Sequence, residues 1–373
     1  MKAQPSDRLV GRDAPSFLAS VEEELTAFLF EKRKAVEREA PEAVVLVDEL
    51  SRTLGSGGKR LRPLFCYWGH LAAGGRPGGP IARAGGAVEL LHTSAVIHDD
   101  VLDRSRLRRG HPTAFRHLSA PGSDPPRERP STGRDASRLE GEDRFGRSAA
   151  ILAGDLAGAL ADELLARSGF PSDRLVAAFR PWSEMRAQAV AGELLDLVLA
   201  ERRTADEAEA RRVASLKSAS YTVVGPLLVG ATLGGAGPDV LGALAAFGWP
   251  LGEAFQLRDD VLGTFGDPAV TGKDRDTDIL EGKQTTLVAK ARRLADERDE
   301  RIMAERLGRD DLDGRDVDRI RAILRGSGAL AETLGLVESL AERAVGSLEN
   351  AAISPEAARA LRSLALMVAV RDA

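Results

Sequence analysis

Apolar residues recur along most of this chain with the period of an α-helix. Between residues 81 and 102 they stand at positions 84, 87, 88, 91 and 95, and a second stripe runs through 244–262. Aromatic residues make up only 4% of the sequence, so alanine, leucine and valine must fill most of the core. Such residues suit close-packed helices better than a β-sandwich. The pattern predicts an all-α fold, and we expect residues 1–373 to form a single domain, a large helical bundle.

The same period marks further segments, and no segment alternates apolar and polar residues clearly enough to indicate a strand. These further helices are predicted at 149–167, 174–200, 286–296, 315–325, 328–349 and 355–369. Residues 119–144 break the pattern, because they contain four prolines and, as apolar residues, only Ala120, Ala136 and Leu139. Too little apolar surface is available there to offset the entropy of ordering the chain. We therefore expect a disordered surface insertion at 119–144.

Charge and cysteine content exclude several classes of function. The 52 basic and 57 acidic side chains leave a net charge of −5, which offers no general electrostatic reason to bind nucleic acid. Cys66 is the only cysteine, so neither an intrachain disulfide nor a multi-cysteine zinc or iron–sulfur site can form. The first residues are too polar for a signal peptide, and no apolar run is long enough for a membrane span. We expect a cytoplasmic protein without a transmembrane segment.

Two acidic motifs are the strongest candidates for a functional site. Asp99 and Asp103 are four residues apart on a predicted helix, so their carboxylates point the same way. Mg²⁺ prefers a few carboxylates together with water and phosphate oxygens. A second amphipathic helix ends in Asp259 and Asp260, and two such helices facing each other would hold divalent cations around a diphosphate. Taken alone, the first motif also fits a solvated acidic helix end.

Basic residues supply the complementary charge. The run GGKRLRP at 57–63 combines flexible backbone with three cations, yet it matches neither a Walker loop nor a dinucleotide-binding motif. Arg108 and Arg109 follow the first acidic motif, and guanidinium groups suit phosphate oxygens. Isolated lysines near predicted helix ends add charge, although each alone also fits a solvated surface residue: Lys217, Lys273 and Lys283.

Six ordered blocks, spread over nearly the whole chain, resemble the trans-isoprenyl diphosphate synthases, the polyprenyl synthetase family, and most closely its members that make geranylgeranyl diphosphate. The blocks are GGKRLRP (57–63), ELLHTSAVIHDDVLDRSRLRRGHPT (89–113), AILAGDL (150–156), GELLD (192–196), LKSASYT (216–222) and GEAFQLRDDVLGTFGDPAVTGK (252–273) with DILEGKQTT (278–286). The resemblance implies an all-helical isoprenoid synthase fold, a central cavity for the substrate tail, and a homodimer.

The resemblance also implies roles for individual residues. The metal-binding residues would be Asp99, Asp100, Asp103, Asp259 and Asp260, with three Mg²⁺ per active site, for which Mn²⁺ can substitute. The allylic diphosphate would be held by Arg108, Lys217, Gln256, Lys273 and Lys283. Isopentenyl diphosphate would be held by Lys59, Arg62, His92 and Arg109, although a lone helix histidine also fits a core position. The groups assigned directly to catalysis are Asp99, Asp103, Asp259, Lys217 and Lys283.

The implied reaction joins isopentenyl diphosphate to an allylic diphosphate, which would be dimethylallyl, geranyl or farnesyl diphosphate. Ser94 and Ala95 lie about one helical turn before Asp99, and both are small. Farnesyl-type relatives carry bulky aromatic residues at the matching positions. The growing chain should therefore reach at least to Leu91, and we expect geranylgeranyl diphosphate as the product.

One departure and two alternatives accompany this interpretation. Position 263 is glycine where the family pattern usually has a third aspartate, which implies altered metal binding more than inactivity. A class I terpene cyclase would share an acidic motif but would not need a second diphosphate site such as the intact run at 57–63. A non-catalytic partner subunit would usually have lost the first acidic motif or the basic residues, and both are present here.

Overall fold

The computed structural model describes residues 13–119, 133–266, 277–309 and 311–369. Its first helices are α1 (Ala14–Glu39), α2 (Val44–Gly55), α3 (Leu61–Ala72), α4 (Gly79–Leu102), α5 (Ala114–Ser119) and α6 (Gly133–Ala166). They are followed by α7 (Ser172–Arg202), α8 (Glu207–Val213), a π-helix (Ala214–Val224), α9 (Gly225–Gly234) and α10 (Pro238–Phe265). The last are α11 (Thr277–Leu280), α12 (Thr286–Leu294), α13 (Glu297–Arg306), α14 (Gly314–Gly326), α15 (Ala329–Gly346) and α16 (Pro355–Ala369).

The predicted all-α fold is confirmed, and the two principal apolar stripes lie on α4 and α10. In the part of the chain that the structure describes, β-structure is limited to Leu107–Arg108 pairing antiparallel with His111–Pro112. This hairpin is too short to show an alternating pattern, which explains why the sequence did not predict it. No helix within the described ranges is long and apolar enough to cross a membrane.

Residues 119–144, expected to be a disordered insertion, are helical in their second half. Helix α6 begins at Gly133, so its first turns belong to this segment, whereas residues 120–132 lie outside the described residues. The last proline of the segment is Pro130, and from there onward nothing prevents helical hydrogen bonding. The prolines, and not the low apolar content, therefore mark where helix α6 can begin.

Contacts divide the chain into two compact units. The first comprises Met1–Phe17, Leu61–Ile81 and Phe170–Ala373, and the second comprises Leu18–Arg60 and Ala82–Gly169. The sequence-based expectation of a single domain stays a prediction.

The first unit contains a close crossing of α3 and α9. A Cβ atom placed on Gly230 of α9 would lie 1.8 Å from the carbonyl oxygen of Cys66 on α3. Two backbones can approach so closely only where one residue has no side chain. Cys66 itself is fully buried, and burial raises the pKa of its thiol to about 12, so it is a packing residue without nucleophilic character.

A second apolar cluster of the same unit joins the end of α10 to the helices that follow it. Its buried members are Val261, Ile279, Leu287, Val288, Ala291, Met303, Leu307, Val317, Ile320, Ile323, Leu324 and Ala329. Side-chain caps define two of the helix starts, because Asp296 accepts hydrogen bonds from the backbone of α13 and Asp313 does so for α14. The end of α10 is thus anchored on a packed framework.

The second unit is built around α4. Leu90 and Ile97 of this helix are fully buried. A Cβ atom on Gly86 would lie 3.2 Å from Leu164 of α6 and 3.3 Å from Leu25 of α1, so α4 packs directly against both helices. This packing holds the helix that carries the first acidic motif.

We predict that Gly230→Ala destabilises the protein by at least about 2 kcal/mol, because the new methyl group overlaps backbone that cannot move freely. Gly242→Ala is the matched control, since Gly242 is an exposed position of α10 with no atom within 4 Å of the added Cβ. The control should leave stability unchanged or raise it slightly through helix propensity. Urea unfolding measures both effects, and equal midpoints for the two variants would contradict the close crossing.

Candidate active site

The first acidic motif occupies the last turn of α4. Asp103 lies just beyond the helix, and its backbone N–H donates to the carbonyl oxygen of Asp99 at 2.8 Å. Asp99 and Asp103 are therefore one turn apart, as the spacing predicts.

Arg108 holds two carboxylates of this motif. Its Nη2 donates to Asp99 Oδ2 at 3.0 Å, and its Nε donates to Asp100 Oδ1 at 2.8 Å. The Asp100 side chain is almost completely buried, whereas that of Asp99 is 25% exposed. Burial raises the pKa of Asp100 to about 6, and Arg108 opposes this rise. Asp100 is thus a buried partner of Arg108, while Asp99 remains accessible to a ligand.

His98 fixes the position of the motif against α6. Its Nε2 lies 3.1 Å from the carbonyl oxygen of Ile151 and 3.5 Å from Oδ1 of Asp155. A Cβ atom on Gly154 would lie only 2.2 Å from the same nitrogen, so the imidazole fills the space beside this glycine. The block AILAGDL therefore provides the surface on which the end of α4 rests.

The glycine-rich loop before α3 has an unusual backbone. Gly57 (φ 89°), Gly58 (φ 144°) and Arg60 (φ 48°) all lie in the left-handed region, which is uncommon for a non-glycine residue. Arg60 Nη1 donates to Glu89 Oε1 of α4 at 2.6 Å, and Arg60 Nη2 donates to the carbonyl oxygen of Leu54 at 2.6 Å. These two bonds tie the loop to α2 and α4.

Arg109 fixes the other side of this loop. Its guanidinium donates to the carbonyl oxygen of Gly57, and a Cβ atom on Gly58 would lie 3.1 Å from its Nη1. Lys59, between the two fastened positions, is exposed. Its ammonium group is therefore carried on a loop of fixed shape.

The remaining candidate positions of α4 differ in exposure. Leu91 and Ser94 are buried, and His92 and Ala95 are half-buried. All four precede Asp99 on the same helix, so the small residues Ser94 and Ala95 lie one turn before the acidic motif, as predicted.

In the first unit, the second acidic motif lies near the end of α10. Asp260 is buried, and its Oδ1 accepts a hydrogen bond from Gln256 Nε2 at 2.6 Å. Oε1 of the same amide accepts from Ser218 Oγ of the π-helix at 2.5 Å. Gln256 therefore links Asp260 to the π-helix, and Asp259 is the less buried carboxylate of the pair.

Lys217 of the π-helix meets two carboxylates of α7. Its Nζ lies 2.8 Å from Asp196 Oδ2 and 3.1 Å from Glu193 Oε2. A Cβ atom on Gly192 would lie 2.2 Å from the backbone nitrogen of Lys217, so the two elements touch along their backbones. The resemblance covers the block GELLD, but it did not predict that the two acids of this block pair with Lys217.

The other cations of this unit have separate partners. Arg62 Nη2 donates to Thr222 Oγ1 at 2.8 Å and to the Tyr221 hydroxyl at 3.0 Å, with its guanidinium 4.6 Å from the Tyr221 ring centre. Lys283 Nζ lies 3.0 Å from Glu281 Oε2. Lys273 lies outside the described residues.

The ion pair of Arg60 and Glu89 is a feature of the candidate site that the sequence analysis did not predict. Arg60 stands in a run of cations with Lys59 and Arg62, so the sequence gives it no separate role. Its side chain is only 12% exposed and that of Glu89 only 6%, so the two form a buried ion pair. The available signal was Glu89 itself, a charged residue on the apolar stripe of α4 that needs a buried partner.

The donor atoms of both acidic motifs suit a divalent cation such as Mg²⁺, because they are carboxylate oxygens. Within the described residues, no group of three or more His, Cys, Asp or Glu side chains is already arranged around one metal position. In the first motif, the guanidinium of Arg108 is hydrogen-bonded to oxygens of Asp99 and Asp100 that a metal would otherwise bind. The carboxylates thus fit the metal chemically, and a metal at Asp99 would compete with Arg108 for its carboxylate oxygens.

An all-helical fold with two helix-borne acidic motifs, each in contact with basic or amide side chains, is the arrangement expected of an isoprenyl diphosphate synthase. The family model of the polyprenyl synthetases matches residues 44–324, and the chain belongs to this family. It is a trans-isoprenyl diphosphate synthase, as the sequence analysis predicted, and neither the terpene cyclase nor the partner subunit is favoured.

Individual relatives agree with this assignment. A geranylgeranyl diphosphate synthase from Sulfolobus acidocaldarius is 34% identical over 260 residues, which cover 68% of each chain. A geranylfarnesyl diphosphate synthase from Aeropyrum pernix is 33% identical over 282 residues, 74% of this chain and 78% of the relative. The crystal structure of a geranylgeranyl pyrophosphate synthase from Corynebacterium glutamicum, complexed with isoprenyl diphosphate and magnesium, has a TM-score of 0.86 and 34% identity. That match covers 95% of this chain and 99% of the other.

We predict that Arg60→Ala lowers the free energy of unfolding by about 3 kcal/mol, because it leaves the Glu89 carboxylate buried without its charge partner. Arg33→Ala is the matched control, since Arg33 pairs with Asp48 while both side chains are largely exposed. The control should change stability much less, because solvent screens exposed pairs. Chemical denaturation compares the two, and an Arg60→Ala effect no larger than the control would contradict a structural role for the buried pair.

Proposed function

We propose that this enzyme uses divalent cations to condense isopentenyl diphosphate with an allylic diphosphate, and that its main product is geranylgeranyl diphosphate. One observation carries the proposal. Two adjacent residues connect the first acidic motif to the glycine-rich loop, because Arg108 binds Asp99 and Arg109 binds the carbonyl of Gly57. If the acidic motif and the loop each bind a diphosphate, the two sites would share the short hairpin that carries both arginines, which suits a reaction that joins two diphosphate substrates.

The allylic diphosphate is the leaving group in this reaction. Asp99, Asp103 and Asp259 would hold Mg²⁺, with Asp100 and Asp260 supporting them from buried positions. Three ions per active site, replaceable by Mn²⁺, follow the family pattern. Bound Mg²⁺ supplies positive charge that stabilises the diphosphate as its C–O bond breaks.

Cationic side chains share the task of holding this leaving group. Arg108, Lys217, Lys273 and Lys283 would contact the diphosphate oxygens, and Gln256 would orient it by hydrogen bonding. Asp196 and Glu193 support this role for Lys217, because the two ion pairs limit the movement of its ammonium group.

Isopentenyl diphosphate would bind at Lys59, Arg62, Arg109 and His92. The fixed loop supports this assignment, because positioning the second substrate lowers the entropic cost of bringing two molecules together. The double bond of isopentenyl diphosphate attacks the allylic carbon, a new C–C bond forms, and a proton leaves the former isopentenyl unit. Diphosphate is released with the proton, as the family pattern implies.

Product length would be set along α4. Ser94 and Ala95 are small and lie about one turn before Asp99, so the chain could extend as far as Leu91. The names of the relatives agree with this range, since they include makers of geranylgeranyl and geranylfarnesyl diphosphate.

We further propose a homodimer in the cytoplasm. Helix α7 exposes apolar side chains at helical spacing, with Val190 71%, Leu194 62% and Val198 42% exposed. Helix α6 also exposes the apolar residues Ile151 and Leu152. Apolar faces of this kind are favoured at interfaces between subunits.

We predict that Asp99→Ala lowers kcat at least about 100-fold, because it removes a group that stabilises developing charge. Incorporation of labelled isopentenyl diphosphate at saturating Mg²⁺ measures the loss. Asp48→Ala, which removes an exposed carboxylate of α2, is the control and should retain full turnover. Near-normal kcat in Asp99→Ala would remove the first acidic motif from the metal site.

We predict that Ser94→Phe shortens the product toward farnesyl diphosphate, because the ring fills the space one turn (about 5.4 Å) before Asp99. Chromatography of the dephosphorylated products distinguishes the chain lengths. Condensation of dimethylallyl diphosphate should continue, which shows that the variant is folded and active. An unchanged product from an active variant would mean that this face of α4 does not set the length.

A further inference from the structure

A buried carboxylate of α2 has hydrogen-bond partners on two segments of the second unit. The side chain of Glu49 is 0% exposed. Its Oε1 accepts from Arg52 Nη2 at 2.5 Å and from Thr53 Oγ1 at 3.3 Å, and its Oε2 accepts from Arg52 Nε at 2.9 Å. These three bonds stay within α2. The fourth crosses to α5, because Nδ1 of His117 lies 2.6 Å from the same Oε2.

The bond to His117 is the one that joins two elements. A carboxylate only accepts hydrogen bonds, so the imidazole nitrogen is the donor. A buried carboxylate is costly unless its oxygens are paired, which favours keeping this contact in place. Glu49 and His117 therefore fix α5 against α2.

Each of these two helices is continuous with a segment that carries a candidate substrate group. Helix α2 ends at Gly55 and leads into the glycine-rich loop with Lys59, and α5 begins at Ala114, just after the hairpin that carries Arg109. A pocket of about 20 Å³ is lined by residues from both sides, namely Arg52, Thr53 and Ser56 at the end of α2 and Arg108, His111 and Thr113 at the hairpin. The end of α2 and the hairpin thus face each other across this pocket.

The two diphosphate sites depend differently on this arrangement. Arg108 is bound to Asp99 and Asp100 of α4, neither of which belongs to α2 or α5. Lys59 and Arg109, assigned to isopentenyl diphosphate, lie on the two segments that Glu49 and His117 connect. A change in the spacing of α2 and α5 should therefore affect isopentenyl diphosphate more than the allylic substrate.

We propose that Glu49 and His117 are positioning residues for isopentenyl diphosphate, because their hydrogen bond sets the spacing between the glycine-rich loop and the hairpin. They act through Lys59 and Arg109 and not by touching the substrate. Neither residue lies in a sequence block that resembles the family. The inference rests on the proposed function and adds two residues to its second substrate site.

Steady-state condensation kinetics of the full-length protein test this role, with each substrate varied at saturating Mg²⁺ and a saturating concentration of the other. His117→Ala removes the donor, and the side chain is 52% exposed, so its loss leaves no buried cavity. The KM for isopentenyl diphosphate should rise about 10-fold, because displaced cations make poorer contacts with the diphosphate. The KM for the allylic diphosphate should change less than about twofold, as expected for an independent site.

A conservative variant and a matched control separate this role from general packing. In His117→Asn the amide nitrogen is as many bonds from Cα as Nδ1 of histidine, so it can donate to Glu49 and should recover most of the affinity. Arg167→Ala is the control, since Arg167 is 48% exposed and its Nη1 donates to Glu31 Oε1 of α1 at 2.8 Å. Neither α1 nor the end of α6 leads into the loop or the hairpin, so both KM values should match the wild type.

A second variant tests the bond from its other side. Glu49→Gln combined with His117→Ala should raise the KM for isopentenyl diphosphate no further than the more affected single variant, because both changes break one contact. Independent, multiplying effects would contradict the proposal. The comparison of the Ala and Asn variants at His117 decides the matter even if Glu49→Gln does not fold.

The outcomes distinguish the two proposals. Wild-type protein that does not condense the two diphosphates would overturn the proposed function. With an active wild type, unchanged kinetics in His117→Ala, an equal rise of both KM values, or no recovery in His117→Asn would overturn only the positioning role.

Discussion

Carboxylates gathered at the end of a helix repel one another, and the described site depends on the side chains that offset this repulsion. In the second unit Arg108 binds Asp99 and Asp100 together. Its neighbour Arg109 fastens the glycine-rich loop at Gly57. The charge balance of the acidic motif and the shape of the cationic loop therefore depend on two consecutive residues. A change in the hairpin that carries them would disturb both.

In the first unit, too, a neighbouring side chain binds a carboxylate of the acidic motif, but there it is an amide and not a guanidinium. Each acidic motif has one buried carboxylate that is fully engaged, Asp100 with Arg108 and Asp260 with the Gln256 amide. Asp99 and Asp259 are the more exposed carboxylates of the two pairs. Buried polar groups need partners, so the inner member of each pair fixes the helix end, and the outer member is the one that solvent and a ligand can reach. Two adjacent aspartates can thus serve structure and chemistry separately.

Much of the fold could be predicted from the sequence because helical periodicity is a local signal. The spacing of Asp99 and Asp103 likewise determined that they share a face. Residue spacing does not identify contacts between distant segments. Glu89 indicated that a buried partner was needed, but spacing could neither identify Arg60 as that partner nor place the carboxylate of Asp278 beside position 263. The helical start at Gly133 was missed because low apolar content was given more weight than the end of the proline run.

The π-helix Ala214–Val224 has a consequence for how the chain tolerates changes of length. In an α-helix residues 217 and 221 would share a face, yet here Lys217 meets acids of α7 while Tyr221 meets Arg62 of α3. Because a π-helix has a wider turn than an α-helix, the side chains of Lys217 and Tyr221 contact different helices. Deleting one residue would return the segment to the α-helical period and turn one of these groups away from its partner. A related sequence that lacks one residue at this place is therefore expected to have lost the contact of Lys217 or that of Tyr221. Loss of one residue from a surface loop should leave both contacts unchanged.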